Sequence, residues 1–211
     1  MTDALARTLL VAGFVPFAVM RIYWHTRSTR GRPRPENNEP LSFKLLRLFV
    51  ALPLFVVVVS YLVDPSLYSF AGLAIPDPLR WLGAALFLLS IVWSFWVNFT
   101  LSTNFSGMLV VYENHQLIDR GPYSHIRHPM YTGFITLMVG LFLLTANWLI
   151  GIPPILIILV VMLVRTPQEE AMLLAHFGDE YRAYMARTGR FLPQVGATSP
   201  KGNRSWESSS S

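Results

Sequence analysis

The sequence predicts an all-α integral membrane protein with about five transmembrane helices and a C-terminal helical hairpin. Three observations carry that reading. Of 211 residues, 53% belong to the hydrophobic set and only 14% are charged, against about 25% charged in an ordinary soluble domain; mean hydropathy is +0.43. Five windows approach the roughly 20 apolar residues that one crossing of the bilayer core needs. The arginines then gather on alternate connectors, as the positive-inside rule requires. Cysteine is absent, which excludes a disulfide framework, a thiolate zinc site and a cysteine nucleophile.

The five windows run Leu5–Tyr23, Leu45–Val63, Leu79–Phe99, Tyr131–Ala146 and Trp148–Val164. The first begins around Arg7, contains Pro16 and offers no clear small-x-small cleavage site, so it reads as a retained helix rather than a signal peptide. Between the first two, residues 25–42 hold Arg27, Arg30, Arg32 and Arg34 among Pro, Asn and Glu, the composition of a polar connector. The connector Asp64–Pro78 has no Lys or Arg, and the turn at Asn147 has no charge. Arg120 and Arg127 lie in the loop after the third window, and Arg165, Arg182, Arg187, Arg190, Lys201 and Arg204 follow the fifth.

Placing the basic connectors in the cytoplasm makes the protein an inner or plasma membrane protein with its N-terminus outside and its C-terminus inside. The net charge of +5 is then a matter of orientation toward membrane lipids, and no nucleic-acid partner is expected. Residues 1–99 are expected to form three N-terminal helices, 100–193 a catalytic region, and 194–211 a disordered serine-rich tail.

Windows four and five are separated only by Asn147, so they are antiparallel neighbours. Gly151, Pro153 and Pro154 near the start of the fifth free backbone groups that neighbouring helices must cover. The hairpin brings together two polar stretches, His115–Gly133 and Arg165–Tyr184. They offer imidazoles and phenols (His115, Tyr123, His128, Tyr131), one cation (Arg165) and adjacent carboxylates (Glu169, Glu170). Aromatic faces suit an adenine ring or a sulfonium, a carboxylate suits hydroxyls or an amino group, and an arginine fork suits a carboxylate. Successive helical residues point about 100° apart, so only one of Glu169 and Glu170 can serve the ligand.

Three histidines, His115, His125 and His128, lie close in sequence, but nothing beside them completes a zinc set, and no metal is expected. Trp148 reads as an interfacial belt residue. The spacing of Leu173, Phe177, Tyr181 and Tyr184 predicts an amphipathic element under the site, interrupted at Gly178 and capped by Asp179 in its second part. The third helix carries Trp81, Phe87, Trp93, Phe95, Trp96 and Phe99, a broad aromatic surface for lipid, for neighbouring helices and in part for an acceptor's tail. Asn98 and Asn104 are expected to cap its end.

The pattern Gly121-Pro-Tyr-x-x-x-Arg127-His-Pro-x-Tyr131-x-Gly133, then Arg165-x-x-x-Glu169-Glu170, Phe177-Gly178-x-x-Tyr181-x-x-Tyr184 and Arg190-Phe-Leu-Pro193 resembles the isoprenylcysteine carboxyl methyltransferase family, which is related to the phospholipid methyltransferases. The resemblance covers roughly Asn104–Pro193 and implies a membrane methyltransferase that binds S-adenosyl-L-methionine in cytoplasmic loops and helices, without a Rossmann domain. No GxGxxG motif occurs in the chain.

The resemblance further implies that His115, Gln116, Leu117, Ile118 and Tyr123 line the cofactor. The run His128, Pro129, Met130, Tyr131 matches the family's cofactor motif, and Glu169 its cofactor-binding glutamate. Met108–Val111 is expected to add at most one further contact. Arg165 matches the arginine beside the acceptor carboxylate, which makes it the catalytic and substrate-binding candidate. The implied acceptor is prenylcysteine-like or otherwise lipidic. The alternatives are a phospholipid, small-amine or thiol methyltransferase of the same fold, a nicotinamide-dependent reductase, or a non-catalytic subunit. An amine acceptor would have to lose a proton, with Glu170 or a histidine as base.

Overall fold

The computed structural model describes residues 1–29, 55–101 and 117–194. Among these residues six helices follow one another: α1 (Asp3–Thr29), α2 (described over 55–63), α3 (Asp77–Leu101), α4 (Pro129–Thr145), α5 (Trp148–Phe177) and α6 (Asp179–Arg187). Short 3-10 turns occupy Pro65–Ala71 and Gly121–Ser124. Among the described residues there is no strand, only two isolated β-bridges. The protein is therefore the all-α membrane protein that the sequence predicts.

Three helices are long and apolar enough to cross a bilayer: Asp3–Trp24 of α1, α3 and α5. α4 is equally apolar but has 17 residues. Of the expected second span, residues 45–54 lie outside the described residues, as do Asn104 and Met108–Val111.

Apolar side chains cannot drive helices together in lipid, so close packing through small residues takes over. A Cβ on Gly83 of α3 would lie 2.5 Å from the Leu144 backbone nitrogen, and one on Gly140 of α4 would lie 2.5 Å from the Phe87 nitrogen. The α3 and α4 backbones thus touch at two levels. Around this seam Ala6, Leu10, Phe87, Ile91, Leu137, Leu141, Leu144 and Ile150 form the buried core. Val92, Phe99 and Leu163 point outward, exposed by 66%, 73% and 73%, as lipid-facing residues do.

The hairpin turn is built by local chemistry. Ala146 takes the left-handed conformation, φ 49°, and its N–H donates to Phe142 O at 3.0 Å, closing α4. Asn147 then caps α5: its Oδ1 accepts from Leu149 N at 3.1 Å and Ile150 N at 3.3 Å. Its Nδ2 donates to Tyr68 O at 2.9 Å, and Leu73 N donates to Ala146 O at 2.7 Å. Arg80 fastens the same end, donating to Leu144 O and Met1 O and pairing with Asp3 at 2.8 Å.

Three expectations are corrected. The fifth span does not stop at Val164, because α5 continues unbroken through Arg165 and Pro167 to Phe177; its charged end is the same helix continued. Asp179 is not a cap: Gly178, at φ 54°, occupies the cap position of α6 without a side-chain hydrogen bond, and Asp179 is the first helical residue. Asn98 lies inside α3, buried, its Nδ2 donating to Ser94 O at 2.7 Å. The aromatic surface of α3 divides between lipid and neighbouring helices, as expected: Phe99 is exposed, Phe87 belongs to the core and Trp93 donates from Nε1 to Pro129 O at 2.8 Å.

Candidate active site

The end of the hairpin opposite the turn assembles the polar residues. α5 presents two neighbouring rows there. Met162, Thr166 and Glu170 are buried, whereas Arg165 and Glu169, one helical turn apart on the adjoining row, are half-buried. The consecutive glutamates consequently face different surroundings, as helix geometry demands.

Glu170, with a side chain 6% exposed, is the centre of a charged cluster. It accepts from Arg127 Nε at 3.0 Å, His128 Nε2 at 3.2 Å and Arg190 Nε at 3.2 Å, with a further bond from Arg190 Nη2. Arg127 also donates to the carbonyls of Met185 and Thr188. The Arg190 guanidinium is held above the usual arginine pKa by its hydrogen bonds to Glu170.

Backbone pairing locks the segments that bring these groups in. Residues 188–191 form a strap along the loop before α4. Arg127 N donates to Gly189 O at 2.8 Å, Gly189 N to His125 O at 3.1 Å and His128 N to Arg190 O at 3.1 Å, around a parallel bridge between Ile126 and Gly189. Thr132 Oγ1 adds a bond to Phe191 O at 2.7 Å. α6 closes the other side through Tyr184 OH, which donates to Tyr123 O at 2.7 Å.

Glu169 is the outward-facing member of the pair. Its Oε2 lies 3.9 Å from His128 Nδ1, and its side chain is 37% exposed. Tyr123 and Tyr131 both lie within Coulombic range of it, and Tyr131 also within range of Arg165. Desolvation pushes the Tyr123 phenol well above the usual tyrosine value, and the Glu169 charge adds to the shift. The His128 ring is tilted 45° to Tyr131 at 6.0 Å and 45° to Phe191 at 5.9 Å.

Five of the residues singled out from the sequence, Tyr123, His128, Tyr131, Arg165 and Glu169, therefore come together. Pro129 is buried and Met130 half-buried at the start of α4. Leu117 and Ile118 are half-buried ahead of Asp119, which pairs with Arg187 of α6 at 2.5 Å. His115 and Gln116 lie outside the described residues. Arg127 and Arg190 also belong to the cluster. Their place in the quoted motifs is the signal that the sequence holds; that a buried glutamate needs them as cationic partners becomes visible only with the fold.

Fold and site together define an α-helical membrane protein whose polar centre lies where a helical hairpin opens. The family that the motifs resemble is also the one found by comparison: the sequence model of the Isoprenylcysteine carboxyl methyltransferase (ICMT) family matches residues 82–175. Protein-S-isoprenylcysteine O-methyltransferase from Homo sapiens is 31% identical over 99 residues, 46% of this chain but only 35% of that protein. Protein-S-isoprenylcysteine O-methyltransferase B from Arabidopsis thaliana is 26% identical over 157 residues, 74% of this chain and 79% of that one. Among solved structures, the eukaryotic intramembrane Ras methyltransferase ICMT matches with a TM-score of 0.54 at 20% identity, covering 87% of this chain and 67% of the other. That likeness is one of fold. The resemblance read from the motifs is to the family that the comparisons find.

Proposed function

We propose that this chain is a membrane methyltransferase of the ICMT type, using S-adenosyl-L-methionine to methylate the carboxylate of a prenylcysteine-like or other lipidic acceptor. The observation that carries the reading is the convergence of Tyr123, His128, Tyr131, Arg165 and Glu169 at one end of the hairpin. All five fall within the stretch that matches the family.

The residues present fit the cofactor. Glu169 is a half-exposed carboxylate suited to hydroxyls or an amino group, and the tilted His128 and Tyr131 rings suit an aromatic base or a sulfonium. His115, Gln116, Leu117 and Ile118 complete its lining in this proposal. When bound, S-adenosyl-L-methionine supplies an electrophilic methyl group. Arg165 holds the acceptor carboxylate as its counter-charge and aligns it. Because that carboxylate is already ionised at pH 7, no residue has to act as a base; the site's task is orientation and exclusion of water.

An amine acceptor, an ammonium at pH 7, is less well supported. It requires a base, and Glu170, the buried carboxylate nearby, already accepts from Arg127, His128 and Arg190. In the proposed topology the N-terminus is outside, the C-terminus and residues 100–193 form the cytoplasmic catalytic region, and the acceptor's tail enters laterally from lipid. Calorimetric titration of the detergent-purified protein with S-adenosylhomocysteine, beside NADPH, tests the reading. Binding of the former alone is expected; binding of NADPH alone would replace a methyltransferase with a reductase. Mass spectrometry of isotopically labelled methyl groups in membrane lipids of expressing cells then identifies the acceptor.

A further inference from the structure

Glu170 has limited capacity. Its two oxygens offer about four acceptor positions, and four bonds reach them: Oε1 meets Arg127 Nε, Arg190 Nε and His128 Nε2, and Oε2 meets Arg190 Nη2. A carboxylate can only accept, so the imidazole must carry its hydrogen on Nε2. In the neutral ring Nδ1 is then a lone pair, and it points toward Glu169 Oε2 at 3.9 Å. Lone pair and carboxylate do not bond. The Glu169 carboxylate is thereby kept from being captured by the imidazole beside it.

We infer that Arg190, with Glu170, is a positioning pair that fixes the His128 tautomer and so keeps Glu169 available to the ligand. The inference rests on the functional reading above. Arg190 reaches Glu170 from the strap that also pairs with residues 125–128, and Phe191 lies against the His128 ring. The strap is thus a wall of the site. Without the Arg190 fork, Glu170 loses two of its four hydrogen bonds and with them its hold on the tautomer, and a ring that carries its hydrogen on Nδ1 can donate to Glu169. Ligand would then compete with an internal hydrogen bond.

The test is a double-mutant cycle on the full chain in detergent, read as S-adenosylhomocysteine affinity with R190Q, H128F and the combined variant. R190Q is expected to weaken binding about tenfold in the natural background and less than twofold in the H128F background, since coupled groups fail to add. R190K, which keeps the charge, is expected to recover most of the loss. Equal weakening by R190Q in both backgrounds, or no weakening in either, overturns the inference. Failure of the unmutated protein to bind S-adenosylhomocysteine overturns the functional reading instead. Imidazole nitrogen NMR of the unmutated protein, assigned by the signals lost in H128F, does not depend on the folding of R190Q. A hydrogen on Nε2 alone supports the inference, and a hydrogen on Nδ1, whether alone or together with one on Nε2, overturns it.

Discussion

The two ends of the α4–α5 hairpin use polar groups in opposite ways. At the turn, Asn147 and Arg80 direct their donors to backbone carbonyls, and the Asn147 oxygen is filled by α5 N–H groups. That end is a closed joint. At the other end, Glu170 is likewise consumed by Arg127, His128 and Arg190, but the adjoining row of α5 keeps Glu169 and Arg165 at the surface of the cluster. One end spends its polarity on holding segments together; the other divides it, residue by residue, between holding and binding.

The sharpest way to break the contrast is to remove the holding group at the binding end. Glu170→Ala leaves two guanidiniums without their carboxylate, and a loss of about 3–5 kcal/mol in stability is expected, measured by denaturation in detergent. Arg165→Ala is expected to cut methyl transfer by about 100-fold through loss of alignment, while S-adenosylhomocysteine affinity changes little. Glu169→Ala should do the converse, weakening S-adenosylhomocysteine about tenfold, the scale of a hydrogen bond to a charged group, with the melting temperature held. If Arg165→Ala and Glu169→Ala gave equal, small effects in both assays, the assignment of roles would fall.

The closed joint should respond only in stability. Asn147→Ala removes the α5 cap and is expected to cost about 1 kcal/mol, with S-adenosylhomocysteine affinity intact. Ala146→Gly relieves the left-handed conformation at φ 49° and is expected to stabilise by up to about 1 kcal/mol. A change in ligand affinity from either would show that the two ends are not independent.

The hairpin was legible in the sequence because one polar residue between two apolar windows leaves no other connection. The separation of Glu169 from Glu170 was legible too, as an angle between successive helical residues. Which of them faced inward was not, since that depends on Arg127, Arg190 and His128 arriving from a loop and a strap distant in sequence. The end of α5 was misjudged for a related reason. Charges at Arg165, Glu169 and Glu170 mark where lipid should stop, which is not where the helix stops, because hydrogen bonding along the backbone continues regardless of what surrounds it. Asn98 was misplaced because a polar residue near a helix end looks like a cap; here it bonds back onto Ser94 of its own helix.

The tightness of the hairpin turn has a consequence for how this chain can change. α4 has 17 residues, so at 1.5 Å per residue the turn and the start of α4 stand about 26 Å apart. With no slack in the connection, both helices are phased from the same origin, like two rulers pinned at zero. Inserting or deleting one residue anywhere between Asn147 and Arg165 would swing everything beyond it by about 100°: an insertion puts Val164 and Gln168 where Arg165 and Glu169 stand, and a deletion puts Thr166 and Glu170 there. Point changes along these helices are graded in their effect. Changes of length are not, and the hairpin's residue count is as much a part of the site as any side chain in it.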